Sequence, residues 1–446
     1  MKDFAATLMR AGMTELEATA KLELFLRCSA TLSELSELGD APLAFFVPGR
    51  IEVLGKHTDY AGGRSLVCAM ERGFAVLAHP RADAIVRAVD VLRGETREMS
   101  LEETAESASG DWAIYLSTVV RRIARDFPSA RCGMDVVFAS DLPPASGMSS
   151  SSALVVAIFL ALFEVNRLGR DPVYQHAIVS RESLAEYLGA LENGRSFGAI
   201  AGGLGVGTLG GSQDQTAILC CKAGMLSRYS FCPVRAEGTS PFPDGRTFVL
   251  AYSGVAAEKT ASARRRYNEA SLAVSEILAS WNHATSRDDR CLGDAVMSAP
   301  DASEHIRSLL RGVRTGDFTS QRLLNRFEQF VTEAYDIIPK ASDAFAGADL
   351  RAIGEQVARS QHGVERLLGN QIPETIALVR QALALHADAA SAFGAGFGGS
   401  VWALVARERS DAFATDWLEA YRTEFPAAAA RAEMIVTVPG PGAMQL

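Results

Sequence analysis

The sequence predicts an α+β fold. Strand-like and helix-like stretches mix through its 446 residues without a regular βαβ rhythm, so layered sheets and helices are expected in place of a doubly wound sheet. With 48% hydrophobic and 22% charged residues the chain can bury a large core, and its length favours two or three packed units over one. No self-similarity at a period of roughly 20–50 residues suggests a repeat architecture.

Residues 1–40 read as one or two amphipathic helices ending near Gly39-Asp40. "LAFFVPGRIEVLG" (43–55) reads as a strand, a Pro-Gly turn and a second strand, and 66–89 as a meander of β-branched runs broken by turn residues. "WAIYLSTVVRRIARDF" (112–127) carries apolar residues at helical spacing, and 132–143 is another strand. "ALVVAIFLALFEV" (153–165) is apolar but too short to span a bilayer, and it is expected to be a buried helix. Residues 193–215 hold eight glycines with interspersed apolar residues and read as a loop-rich crossing. "RTFVLAYSGV" (246–255) reads as a strand entering the second half. Residues 258–335 and 340–390 are mostly helical, and 401–406 and 432–440 look like closing strands.

The net charge of -9 argues against a nucleic-acid-binding surface, and the densest basic cluster, Arg264 to Arg266, is too small for a polyanion. Seven cysteines, odd in number and without a CxxC, read as buried thiols of a reducing cytoplasm. The first 27 residues carry acids throughout and no continuous apolar run, so a signal peptide is not expected.

Three glycine-rich segments invite a phosphate-binding reading. Gly55-Lys56 fails as a Walker loop, which needs Gly at position 50 and Ser or Thr at 57, where Arg50 and His57 stand. "GAGFGG" (394–399) matches a dinucleotide fingerprint in letters, but a helix precedes it and a strand follows, the reverse of the required order. "PPASGMSSSSAL" (143–154) sets a glycine and four serines before an apolar helix, gathering N–H groups and hydroxyls at a positive helix end. One N-cap would need a single serine, so an anion site is the sharper reading, and a hydroxyl there could reach a nucleotide-borne Mg²⁺.

Taken in order, these segments resemble the GHMP family of small-molecule kinases, in its galactokinase branch. "PGRIEVLGKHTDYAGG" (48–63) is similar to the branch's PGR…N…GEHTDY-x-GG signature, "PPASGMSSSSAL" to the nucleotide-phosphate loop, "GGSQDQ" (210–215) to the segment carrying the catalytic aspartate, and "GAGFGGSVWAL" (394–404) to the third motif. The resemblance covers about residues 42 to 440. It implies two α+β lobes with the active site between them: an N-terminal domain over 1–207 with a helical extension at 1–40, and a C-terminal domain over 208–431. A closing strand near 432–446 would return to the first domain.

It further implies transfer of the γ-phosphoryl of ATP to the anomeric hydroxyl of an aldose, with Mg²⁺. Asp214 would accept the C1 hydroxyl proton, and Arg50 would stabilise the phosphoryl group and the ionised Asp214. Gly147, Ser149, Ser150, Ser151, Ser152, Gly396 and Gly398 would hold the nucleotide. Ser150 and Glu192 would serve the metal, and Lys56, His57, Asp59, Tyr60 and Arg265 the sugar. Partners are then the sugar and ATP, with neither nucleic acid nor membrane. A cytoplasmic monomer or weak homodimer is expected.

Several positions depart from the pattern. Glu192 lies 22 residues before Asp214, a longer gap than the family's. The signature's Asn is Glu52, and its Glu, which in galactokinases helps recognise the sugar's 6-hydroxyl, is Lys56. The sugar-contacting tyrosine falls on Arg265, with Tyr267 two residues later. Two basic residues in a sugar pocket suggest an anionic substrate such as galacturonate, paired by Lys56 with Arg264 or Arg265. Alternatively Glu52 and Lys56 form a swapped pair around a neutral sugar. A sugar- and ATP-binding regulator without turnover is the other reading, whereas "HTDYAGG" argues against a mevalonate- or homoserine-type substrate.

Overall fold

The computed structural model describes residues 2–35, 41–102, 112–257, 261–312 and 318–446, with no side-chain description for residues 2, 3 and 261–264. The helix end expected at Gly39-Asp40 and the side chain of Arg264 fall outside them. Eight strands build the first sheet. They are β1 (Leu43–Leu54), β2 (Arg64–Pro80), β3 (Ile85–Asp90), β4 (Glu95–Ser100), β5 (Met134–Ser140), β6 (Met225–Ser230), β7 (Arg235–Pro241) and, from the other end of the chain, Met444–Gln445. A second, antiparallel sheet comprises β8 (Arg246–Tyr252), β9 (Ala389–Phe393), β10 (Ser400–Ala406) and β11 (Glu433–Thr437), in the order β11-β8-β10-β9. The strand Met444–Gln445 is β12, and it pairs with β1.

The first sheet is covered on both faces, which is why "LAFFV" is apolar without alternation. Phe45 and Val47 enter the core shared with the helix Ser150–Val165. Ala44 and Phe46 face the N-terminal helices Lys2–Arg10 and Glu15–Leu35, through Leu8, Phe25 and Leu32. Burying each such Phe or Leu contributes about 1.5–3 kcal/mol. The fully buried Lys21, paired with Glu17 one turn earlier in its own helix, pins that helix by its ion pair to Asp141, and Asp141 also accepts the Gly73 N–H at 2.8 Å.

Two expectations change. Residues 43–54 form one strand with a register shift at Pro48/Arg50, not two strands around a turn, because Gly49 continues the extended chain through a bulge. The lobes also do not part at 207/208: the helix Gln213–Cys220 packs on β1 and β2, and the β6–β7 hairpin joins β2, so the first layer continues to Pro241. The hairpin's polar sequence, exposed over much of β7, carries little strand signal.

Candidate active site

A cleft of about 1130 Å³ is lined by both β1 and the segments that follow the serine loop and the glycine run. Its chemistry centres on Arg50 and Asp214. Arg50 lies on β1, only 4% exposed, and donates through Nε to Asp214 Oδ1 at 2.8 Å and through Nη1 to the Gly147 carbonyl at 2.5 Å. Asp214 sits in the first turn of its helix, where the macrodipole favours a carboxylate. Burial alone would pull the Arg50 guanidinium down, but the Asp214 and Glu52 carboxylates hold it above its ordinary value.

The serine loop enters the helix Ser150–Val165 with Ser149 in a left-handed conformation (φ 60°) and with no side-chain capping bond. Its hydroxyls are therefore not consumed in capping. Gly147 and Ser149 to Ser152 all line the cleft. Ser152 Oγ donates to Glu192 Oε2 at 2.8 Å and lies 3.4 Å from Asp214 Oδ2, and Gln215 Nε2 donates to Glu192 at 2.6 Å. Glu192, 3% exposed at the end of helix Arg181–Glu192, thus faces the cleft with Ser150 despite its long sequence gap to Asp214. Among the described residues no group of three or more His, Cys, Asp or Glu could hold a metal alone. One carboxylate with serine hydroxyls fits a Mg²⁺ that takes its remaining ligands from phosphates and water.

The third motif is placed differently from expectation. Gly394 and Ala395 line the cleft, whereas Gly396 packs against Asn370 and Gly398 against the Val255 carbonyl, outside its wall. A Cβ at Gly396 would lie 2.4 Å from the Asn370 carbonyl oxygen, so these glycines serve a tight backbone crossing.

On the sugar side, His57, Asp59 and Tyr60 line the cleft. His57 Nε2 lies 3.1 Å from the Ala395 carbonyl and Nδ1 lies 2.9 Å from the Tyr60 hydroxyl. A carbonyl can only accept, so Nε2 carries the proton and Nδ1 accepts from Tyr60. Burial, reinforced by Arg326, lowers the imidazole pKa to about 4, which keeps this neutral tautomer. Both ring nitrogens are therefore engaged within the protein, and His57 presents its ring, not a nitrogen, to a ligand. Asp59 accepts the Gln213 N–H at 3.1 Å, and burial raises its pKa. A Cβ at Gly211 would sit 2.3 Å from Asp59 Oδ2, which explains glycine there.

Lys56 is the main correction. Its side chain is fully buried, it donates from Nζ to Ser391 Oγ at 3.0 Å, and it is not part of the cleft wall. Gly55, at φ 112°, turns the chain so that Lys56 points into the second lobe, where Gln329 also holds its carbonyl. Arg265 is exposed and likewise off the wall, and Tyr267 takes the place expected of it, its ring 5.1 Å from that of His57. Helical geometry accounts for this: two residues along a helix turn the side chain to a different face. The chain also brings in residues not singled out from sequence. Arg326, 1% exposed, donates to the His57 carbonyl and the Tyr60 hydroxyl. Gln213 links Glu52 Oε2 and Ser65 Oγ, both at 2.7 Å. Glu52, which the sequence marks as a departure from the signature, lies on the face of Arg50 by alternation along β1.

Three family models match the chain: the galactokinase galactose-binding signature over residues 36–80, the GHMP kinases N terminal domain over 115–222 and the GHMP kinases C terminal model over 341–423. The chain is 29% identical over 379 residues to the galactokinase of Chloroflexus aggregans, covering 84% of this chain and 86% of that protein. It is 25% identical over 370 residues to the galactokinase of Actinobacillus pleuropneumoniae, covering 82% and 85%. Its fold is similar to the crystal structure of Lactococcus lactis galactokinase complexed with galactose, with a TM-score of 0.75 at 23% identity over 93% of this chain and 100% of that one. Methanococcus jannaschii mevalonate kinase shares the fold more distantly, with a TM-score of 0.52 at 14% identity over 90% of this chain and 99% of that one.

Proposed function

The chain belongs to the GHMP kinase family as a galactokinase-like member, and on that footing we propose that it phosphorylates the anomeric C1 hydroxyl of galactose or a closely similar neutral aldose, using ATP. The observation that carries this reading is the Arg50–Asp214 pair, 2.8 Å apart at the wall where the serine loop meets the sugar segment. Phosphoryl transfer needs alignment and charge stabilisation more than covalent chemistry. Beside Arg50 the Asp214 carboxylate stays ionised and takes the hydroxyl proton as the sugar oxygen bonds to phosphorus and the bond to ADP breaks. Mg²⁺ neutralises phosphate charge when bound, and Glu192 and Ser150 are the residues that would hold it.

A neutral sugar is favoured over a uronate by what remains to pair with a carboxylate. Among the described residues Lys56 is withdrawn behind the wall, Arg265 is outside it, and the two arginines that line the cleft are already paired, Arg50 with Asp214 and Arg93 with Asp90 at 3.6 Å. The test is ADP release with a panel of hexoses, uronic acids and pentoses, followed by phosphorus NMR of the product. Galactose is expected to be turned over best and to give a 1-phosphate. Efficient turnover of galacturonate alone, a 6-phosphate product, or tight sugar and ATP binding without ADP release overturns the reading, the last in favour of a regulator.

A further inference from the structure

Glu52 holds a buried acceptor with nothing to accept. It lines the cleft, is 4% exposed, and stands two residues from Arg50 on the same face of β1. Its Oε2 accepts Gln213 Nε2 at 2.7 Å, whereas among the described residues Oε1 has no hydrogen-bond partner. The neighbouring donors point elsewhere. Gln213 Oε1 accepts from Ser65 Oγ at 2.7 Å, which leaves its Nε2 to Glu52 Oε2. Among the described residues Arg50 donates to Asp214 and the Gly147 carbonyl and Lys56 to Ser391, and neither donates to Glu52 Oε1. Leaving a buried carboxylate oxygen unpaired is expensive, so such an atom at a cleft wall points to a ligand group that completes it.

The rest of the wall narrows the class of group. His57 and Tyr60 satisfy each other, so the acceptors this side offers a ligand include the carboxylates of Glu52 and Asp59, beside the Tyr267 phenol. Ionised carboxylates only accept, and a sugar hydroxyl donates. Resting on the sugar-kinase reading above, we propose that Glu52 is a specificity-determining residue whose Oε1 accepts a hydrogen bond from one substrate hydroxyl and repels a carboxylate at that place. Lys56 completes the arrangement from behind. Burial pushes the Glu52 carboxyl up, and the charges of Lys56 and Arg50 oppose that rise, Lys56 doing so from the second lobe without putting a cation in the sugar's way.

The test is sugar binding by titration calorimetry, which does not depend on turnover, using galactose, its monodeoxy analogues and galacturonate. In the wild-type chain one deoxy analogue is expected to bind roughly 10- to 100-fold more weakly than galactose, the size of a hydrogen bond to a charged group. In Glu52→Gln that analogue's penalty shrinks to within a few-fold, galactose weakens, and galacturonate gains relative to galactose. Nucleotide affinity stays unchanged. Should Glu52→Gln misfold through the uncompensated Lys56, the double variant Glu52→Gln, Lys56→Met removes both buried charges and gives the same readout, with thermal melting as the control. Unchanged deoxy penalties and an unchanged galacturonate ratio in a folded variant overturn the proposal while leaving the kinase reading intact. Failure of the wild-type chain to bind any sugar overturns both.

Discussion

The serine loop (143–154) is anchored largely by its backbone and leaves the hydroxyls of Ser149 to Ser151 to a ligand, whereas the sugar loop (55–63) spends most of its polar side chains on being held. In the first, the Ala145, Ser146 and Met148 carbonyls accept from Ala257 N, Ser400 Oγ and Arg50 N. No hydrogen bond to the side chains of Ser149, Ser150 or Ser151 is found among the described residues, and Ser149 Oγ is buried without a partner. In the second, Lys56 binds Ser391, Thr58 caps its own turn at Gly55 and Arg64, His57 and Tyr60 bind each other, and Arg326 holds both of the latter. The difference follows from the ligands. A triphosphate offers many acceptors and suits a bank of loose donors. A sugar must be distinguished by shape, which needs a rigid wall with a few aimed acceptors.

Asp214 joins the two loops, and its loss breaks both roles at once. Asp214→Asn is expected to lower turnover by about 10²–10⁴-fold, the range for general-base help, while calorimetry shows ATP still binding. Turnover within tenfold of wild type would mean that Arg50 and alignment carry the reaction without a base.

Arg326 tests the claim that the sugar loop is held by buried side chains. Its guanidinium serves the carbonyls of Ala270 and His57, the Tyr60 hydroxyl and, at 2.6 Å, Gln329 Oε1. Arg326→Ala leaves these acceptors unsatisfied in a cavity, so urea unfolding should show a loss of about 3–5 kcal/mol. KM for sugar should rise far more than KM for ATP. Equal rises in both would show that the two loops are not held independently.

The same contrast decides how much of the site is legible in the sequence. The serine loop is readable because its function is local: a glycine and four serines before an apolar helix make an anion site wherever that helix packs. Arg50 and Asp214 are readable through their motif context, although 164 residues separate them. The role of Lys56 is not, because the side chain's direction is set by the Glu52/Leu54 register shift, the turn at Gly55 and a serine 335 residues away. The lobe boundary is hidden for a similar reason, since the β6–β7 hairpin earns its place through pairing with β2 and not through its own apolar pattern.

A pH titration sharpens the comparison from the sugar side. His57 folds with its pKa near 4 against an ordinary 6.5, so the unfolded chain takes up its proton first as pH falls. Its contribution to stability is fully present above about 6.5 and is lost progressively down to about 4, about 3 kcal/mol in all. Glu52 and Asp59 have raised pKa values in the same wall and act in the opposite sense, so the test is a difference between wild type and His57→Gln. That difference should fall through this window and flatten below it. A flat difference would mean that the fold leaves the His57 pKa at its ordinary value and that burial does not favour the neutral ring.

Ser149→Ala asks the complementary question of the serine loop, with the smallest effect. Its Oγ has no partner among the described residues, so removing it forfeits no internal bond there and relieves an unsatisfied buried group. Stability should stay within about 0.5 kcal/mol of wild type, in contrast to Arg326→Ala. Nucleotide affinity, in turn, should drop by about one hydrogen bond, roughly 1 kcal/mol, or about fivefold in Kd. If instead the melting temperature falls while ATP binding is untouched, the hydroxyl is structural, and the division between a loop that waits for its ligand and a loop that is already satisfied does not hold.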